Sequence, residues 1–105
     1  MLAGVSLAGC YTSHELSADQ TAAVTVQAEC MKRAAASLDD GFSDPIAIGI
    51  AVAAACSAET QQSDAAMTAG HSLDYQIEYR KDSDRDALRL AVTAVVLHRK
   101  QMRGG

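Results

Sequence analysis

"LDDGFSDP", residues 38 to 45, is the stretch that decides how this chain folds. Gly41 is a natural helix stop, because glycine takes the left-handed conformation beyond a helix end without steric penalty. Asp44 followed by Pro45 reads as an N-cap with proline at the first helical position, where a missing N–H leaves no bond unmade. Upstream, Val24, Ala28, Met31, Ala35 and Leu38 recur at spacings of four, three, four and three, which predicts one apolar helical face with Ser17 as its N-cap. Downstream, Ile46, Gly49, Ala53 and Cys56 repeat at three, four and three. Two helices joined by about four residues must run antiparallel.

The cysteines follow from that hairpin. Counted from Asp40, Cys30 lies ten residues back, about 15 Å along a helix; counted from Pro45, Cys56 lies eleven residues forward, about 16.5 Å. Both thiols therefore reach the same level. Alanine-rich walls let helix axes approach to roughly 8 Å, which brings inward Cα atoms within the roughly 4.4 to 6.8 Å that a disulfide spans. A Cys30–Cys56 disulfide is the expectation, the alternative being two small buried thiols in a reduced pair. Such a bridge stabilises by about 3 to 4 kcal/mol in the chain-entropy picture and implies an oxidising compartment.

A chain of 105 residues makes one small domain with a modest buried fraction. Nearly half of it is hydrophobic, but most of that is alanine, with no Trp, one Phe and three Tyr. The core is expected to be thin and helical, since alanine has the best helix propensity and little area to bury. The net charge of −4 conceals a split: residues 1–79 carry a net of −8 and residues 80–105 a net of +4. Bases near the end of a C-terminal helix fit its macrodipole. The acidic whole argues against nucleic acid as a partner.

The first ten residues carry a resemblance. Leu7-Ala8-Gly9-Cys10 resembles the lipobox of bacterial lipoproteins, in which small residues precede the acylated cysteine. The resemblance implies lipid attachment at Cys10, which accounts for the third cysteine. With Tyr11 rather than Asp next, it also implies an anchor on the periplasmic side of the outer membrane. Residues 1–9 hold no Lys or Arg and are short for an export signal, which either puts the true start upstream of Met1 or makes the motif accidental. Residues 30–56 likewise resemble small cysteine-paired envelope proteins of proteobacteria, a likeness that brings no activity with it. The longest apolar run, 45–58, is about 14 residues against the roughly 20 needed to span a bilayer.

The chain divides accordingly into a partial signal or lipobox segment (1–10), a tether (11–16), a helical hairpin (17–62), a linker (63–72) and a C-terminal helical segment (73–103). The last reads as helices 73–81 and 84–102 or one kinked helix, with Ser83 and Asp86 as a capping box and Leu88, Ala91, Val92, Val95 and Val96 as an apolar face. The expected fold is thus all-α: a disulfide-stapled antiparallel hairpin covered by an amphipathic C-terminal helix.

Candidate chemistry is sparse. Asp82, Asp84 and Asp86 begin like a calcium loop, but Ala87 and Thr93 stand where glycine and an acid are required, so an acidic first helical turn is the better reading. His14, His71 and His98 have no shared ligand spacing and are expected to face solvent, and neither paired cysteine has a partner at metal-ligand spacing. No catalytic residue, metal or cofactor is predicted. Tyr75 and Tyr79, one turn apart, with the basic Arg99, Lys100 and Arg103, are the candidate partner-binding residues. The expected function is a non-catalytic structural or adaptor lipoprotein of the cell envelope that binds a protein partner or a second copy. A soluble periplasmic or secreted helical binding module is the second reading, and a site formed only in an oligomer the third.

Overall fold

The computed structural model describes residues 15–104. Four helices account for most of them: α1 (Ala18–Leu38), α2 (Pro45–Ala55), α3 (Ser57–Thr68) and α4 (Leu73–Met102), with no strand among the described residues. The fold is all-α, as the sequence indicates, and the Cys30–Cys56 disulfide is formed, with Cα atoms 5.9 Å apart. Cross-helix pairs trace the topology. Gln20 reaches Ala66, Gln27 reaches Thr60 and Cys30 reaches Cys56, so α2 and α3 descend in succession alongside α1. Ser83 meets Asp64, Val92 meets Gly49 and Arg99 meets Ser43, so α4 climbs back antiparallel to both, ending beside the turn that closes the hairpin.

The helix ends obey local chemistry. Ser17 and Gln20 form a reciprocal capping box, the Ser17 hydroxyl accepting from the Gln20 N–H at 3.1 Å and the Gln20 side chain from the Ser17 N–H at 2.9 Å. The Asp44 carboxylate accepts from the Ile46 N–H at 2.8 Å, with Pro45 at the first helical position. α1 ends at an extended Asp39 cap, so Gly41 is not the residue after the cap as expected; its left-handed φ of +87° serves the turn two residues further on.

Apolar burial is confined to one half of the bundle. Met31, Ala35, Val52, Cys56, Ala87, Ala91 and Val95 form the core, and only Met31 among them is larger than valine. Such small side chains pack because the helices approach closely. At Gly49 a Cβ would stand 2.5 Å from the Val92 Cγ2 and 3.2 Å from the Val92 Cα, so only glycine fits there. A mid-helix glycine costs roughly 0.5 to 1 kcal/mol relative to alanine, which the close α2–α4 contact offsets. The other half, built from α3 and the first half of α4, buries polar groups instead: Gln27, Thr60, Ser63, Asp64 and Thr68.

Several sequence expectations need correcting. The inward stripe of α1 is Gln27, Met31 and Ala35, while Ala28 is exposed and Leu38 is 42 % exposed. Gln27 enters the interior because its amide donates to the Thr60 hydroxyl at 3.0 Å, which removes the desolvation penalty that an apolar stripe avoids. On α2 the inward residues are Gly49 and Val52, and Ile46 faces out; a helix apolar on every side offers periodicity nothing to choose by. The second helix is broken at Cys56, which ends α2 and precedes α3. Residues 63–68 are not linker but the buried end of α3, leaving 69–72 as the connection. The C-terminal segment is one helix through "KDSDRD": Ser83 is no cap, its hydroxyl donating to the Asp64 carboxylate. Asp82, Asp84 and Asp86 therefore lie in mid-helix, not in a first turn, with Asp82 and Asp86 paired to Arg85 and Arg89 one turn on. The first turn instead holds Asp74, behind a Ser72 cap.

Candidate functional site

The feature that stands apart is the turn between α1 and α2. Asp39 and Asp40 organise it. The Asp39 carboxylate accepts from the Gly41 N–H at 3.0 Å, and the Asp40 carboxylate accepts from the N–H groups of Phe42 (3.0 Å) and Ser43 (2.8 Å) and from the Ser43 hydroxyl. Every N–H from 41 to 43 is thus bonded within the turn, as Asx chemistry allows.

From the other side, α4 clamps the same turn. The Arg99 guanidinium binds the Asp39 carboxylate in a fork, with Nε 3.1 Å from both oxygens and Nη2 2.9 Å from Oδ1, and Nη2 also donates to the Ser43 carbonyl. The His98 Nδ1 lies 3.2 Å from Asp39 Oδ2. The Asp39 side chain is only 1 % exposed, and its hydrogen bonds from Arg99 and from the Gly41 N–H hold its carboxyl far below the usual carboxylate range. Hydrogen bonds from Ser43 lower Asp40 as well, and the Arg99 pKa is raised by Asp39.

One residue is left pointing outward from this locked turn. Phe42 is the single phenylalanine of the chain, and it is 87 % exposed. Leu38 and Ile46, four residues to either side in sequence, are 42 % and 55 % exposed, and Met102, 73 % exposed, and Arg103 border the same cleft as Asp39, Asp40 and Gly41. The backbone beneath the ring is ordered before any encounter, which lowers the cost of ordering this turn on a partner.

The predicted site residues fall in different places. Arg99, expected from sequence to be available to a partner, is instead consumed by the turn; its side chain is 16 % exposed. Lys100 and Arg103 are exposed at the same end of the bundle. Tyr75 and Tyr79 lie at the far end, their rings 6.3 Å apart; Tyr75 also stacks on His71 at 4.1 Å, and Tyr79 is half-buried, with its hydroxyl pKa raised by that burial. The structure therefore separates the tyrosines from the basic residues. His98 does not face solvent but is turned against Asp39. Cys10 and His14 lie outside the described residues.

Two further concavities flank the bundle. One, of about 670 Å³, is polar, with Thr60, Gln61, Asp64, Arg80 and Asp84 in its walls. The other, about 430 Å³, runs between α1 and α4 and is mostly apolar. Among the described residues, no group of three or more His, Cys, Asp or Glu side chains could hold a metal ion, and no helix is long and apolar enough to cross a membrane. Comparison with protein families, with curated proteins and with solved structures finds no match to this chain.

Proposed function

We propose that this protein is a non-catalytic helical adaptor of the bacterial cell envelope that grips a protein partner with its hairpin tip. The observation that carries the reading is Phe42, exposed on a turn whose N–H groups are bonded internally and whose flanks are tied to α4. The backbone that carries the ring is fixed by hydrogen bonds, and aromatic residues are enriched at protein interfaces. The Cys30–Cys56 bridge supports an oxidising compartment, since cytosolic proteins rarely keep one. Lipid at Cys10, on the resemblance of Leu7-Ala8-Gly9-Cys10 to a lipobox, would tether the domain to the periplasmic side of the outer membrane.

Site-specific photo-crosslinking from position 42 in envelope preparations tests the partner. A discrete adduct that Phe42→Asp elsewhere in the population fails to compete for supports the tip; an adduct formed from position 75 and none from position 42 moves the interface to the tyrosine end and overturns it. Radiolabelled palmitate should mark the full chain and not the Cys10→Ser variant. Absence of label with Cys10 intact removes the tether and leaves a soluble periplasmic or secreted binding module.

A further inference from the structure

The groove between α1 and α4 has the make-up of a ligand site. Its floor is Met31, 1 % exposed, and its walls are Ala28 and Ala36 on one side and Leu90, Ala94 and Leu97 on the other. Leu90 and Leu97 are 40 % and 53 % exposed, so apolar surface stands open to water along the whole wall. About 430 Å³ falls within the usual range of small-molecule pockets, which are mostly apolar with a few placed polar groups. Among the polar groups here Lys32 supplies a full positive charge, and Thr93 adds a neutral hydroxyl. Lys32, His98 and Gln101 border the groove, and no carboxylate does, in a chain with thirteen acids. Lys32 enters no ion pair among the described residues. His98 has its Nδ1 turned to Asp39, which leaves the other ring nitrogen for the groove side.

We infer that this groove binds a single-chain aliphatic carboxylate, with the chain along Ala28, Ala36, Leu90 and Leu97 and the carboxylate held by Lys32. The apolar wall explains the tail. The unpaired ammonium sets the charge of the head, because an anion placed there meets its attraction with no carboxylate in the groove walls themselves.

Titration of decanoate, below its micelle concentration, into the oxidised full chain tests this by methyl NMR. Saturable shifts are expected at Leu90, Leu97, Ala28 and Ala36. Ala28→Phe, at an exposed position where the ring fills the groove without entering the core, should weaken binding by at least about tenfold with an unchanged melting temperature. Lys32→Gln should weaken decanoate by about two- to fivefold, as for an exposed ion pair, and leave decanol unaffected. Should Ala28→Phe unfold the chain, the Lys32→Gln comparison of decanoate with decanol still decides. Three results overturn the inference: no saturable shift, equal affinity of the native chain for decanoate and decanol, or shifts at Ile46 and Ile50 in place of the groove. Concentration-dependent shifts at Leu90 and Leu97 without ligand, matched by a dimer in sedimentation, would give the groove to a second copy and overturn it too.

Discussion

The two halves of this bundle are held by different physics. Toward the hairpin turn, α2 and the second half of α4 close on α1 through Met31, Ala35, Val52, Ala91 and Val95, with the disulfide at the lower edge. Toward the α3–α4 connection, the same rods are joined by polar pairs: Gln27 with Thr60, Ser83 with Asp64, Gln20 with the Ala66 carbonyl. Apolar burial is roughly additive in area and needs no geometry, whereas a buried polar pair contributes little net and is costly when broken. The first half should thus set the stability and the second the register.

The largest expected effect comes from removing the staple. Cys30→Ser with Cys56→Ser opens a loop of 26 residues in separation and should lower stability by about 3 to 4 kcal/mol, read as the shift of a urea midpoint. Hydrogen exchange sharpens the contrast: amides of α3 should exchange faster than those around Val52 and Val95 in the bridged protein. Next, Gly49→Ala places a methyl against the Val92 backbone and should destabilise by about 1 to 2 kcal/mol despite the better helix propensity, measured by thermal melting. In the polar half, Gln27→Leu or Thr60→Val alone should cost about 1 kcal/mol or more by orphaning a buried partner, and the pair together markedly less than the sum. Equal, additive losses in that cycle would show that the two side chains do not depend on each other.

The turn responds to pH. The folded Asp39 carboxyl lies below its ordinary value of 3.8, so its stabilisation is fully present above that value and is lost as pH falls through the depressed one. Acid melts of the native chain and of Asp39→Asn should therefore diverge above about pH 4 and converge in stronger acid. The smallest stability effect belongs to the tip: Phe42→Ala should change stability by no more than about 0.5 kcal/mol, read by thermal melting, because the ring is so exposed, while removing the crosslink that the proposed function expects.

Much of the scaffold is legible in the sequence. Gly41, Asp44 and Pro45 mark a turn by local rules, and counts of ten and eleven residues from that turn place Cys30 opposite Cys56. Legibility stops at the facing of residues. Gln27 was hidden because its partner Thr60 is 33 residues away, and a lone glutamine in a helix carries no sign of burial. Arg99 looked free for the same reason: Asp39, its partner, is 60 residues distant. Phe42 could have been singled out as the lone phenylalanine, sitting in a polar turn, but its exposure is a property of the assembled end.

By itself, the sequence determined the start of the first helix, the turn that folds the hairpin back and which sulfurs meet, because caps, turns and rise per residue act over a few neighbours. Only the tertiary structure decided which side of each rod turns inward, that α4 runs unbroken through its acidic stretch, and that Arg99 and His98 lock the turn while Phe42 stays open. Those outcomes depend on close approach at Gly49 and on polar partners far apart in the chain, which no local pattern records.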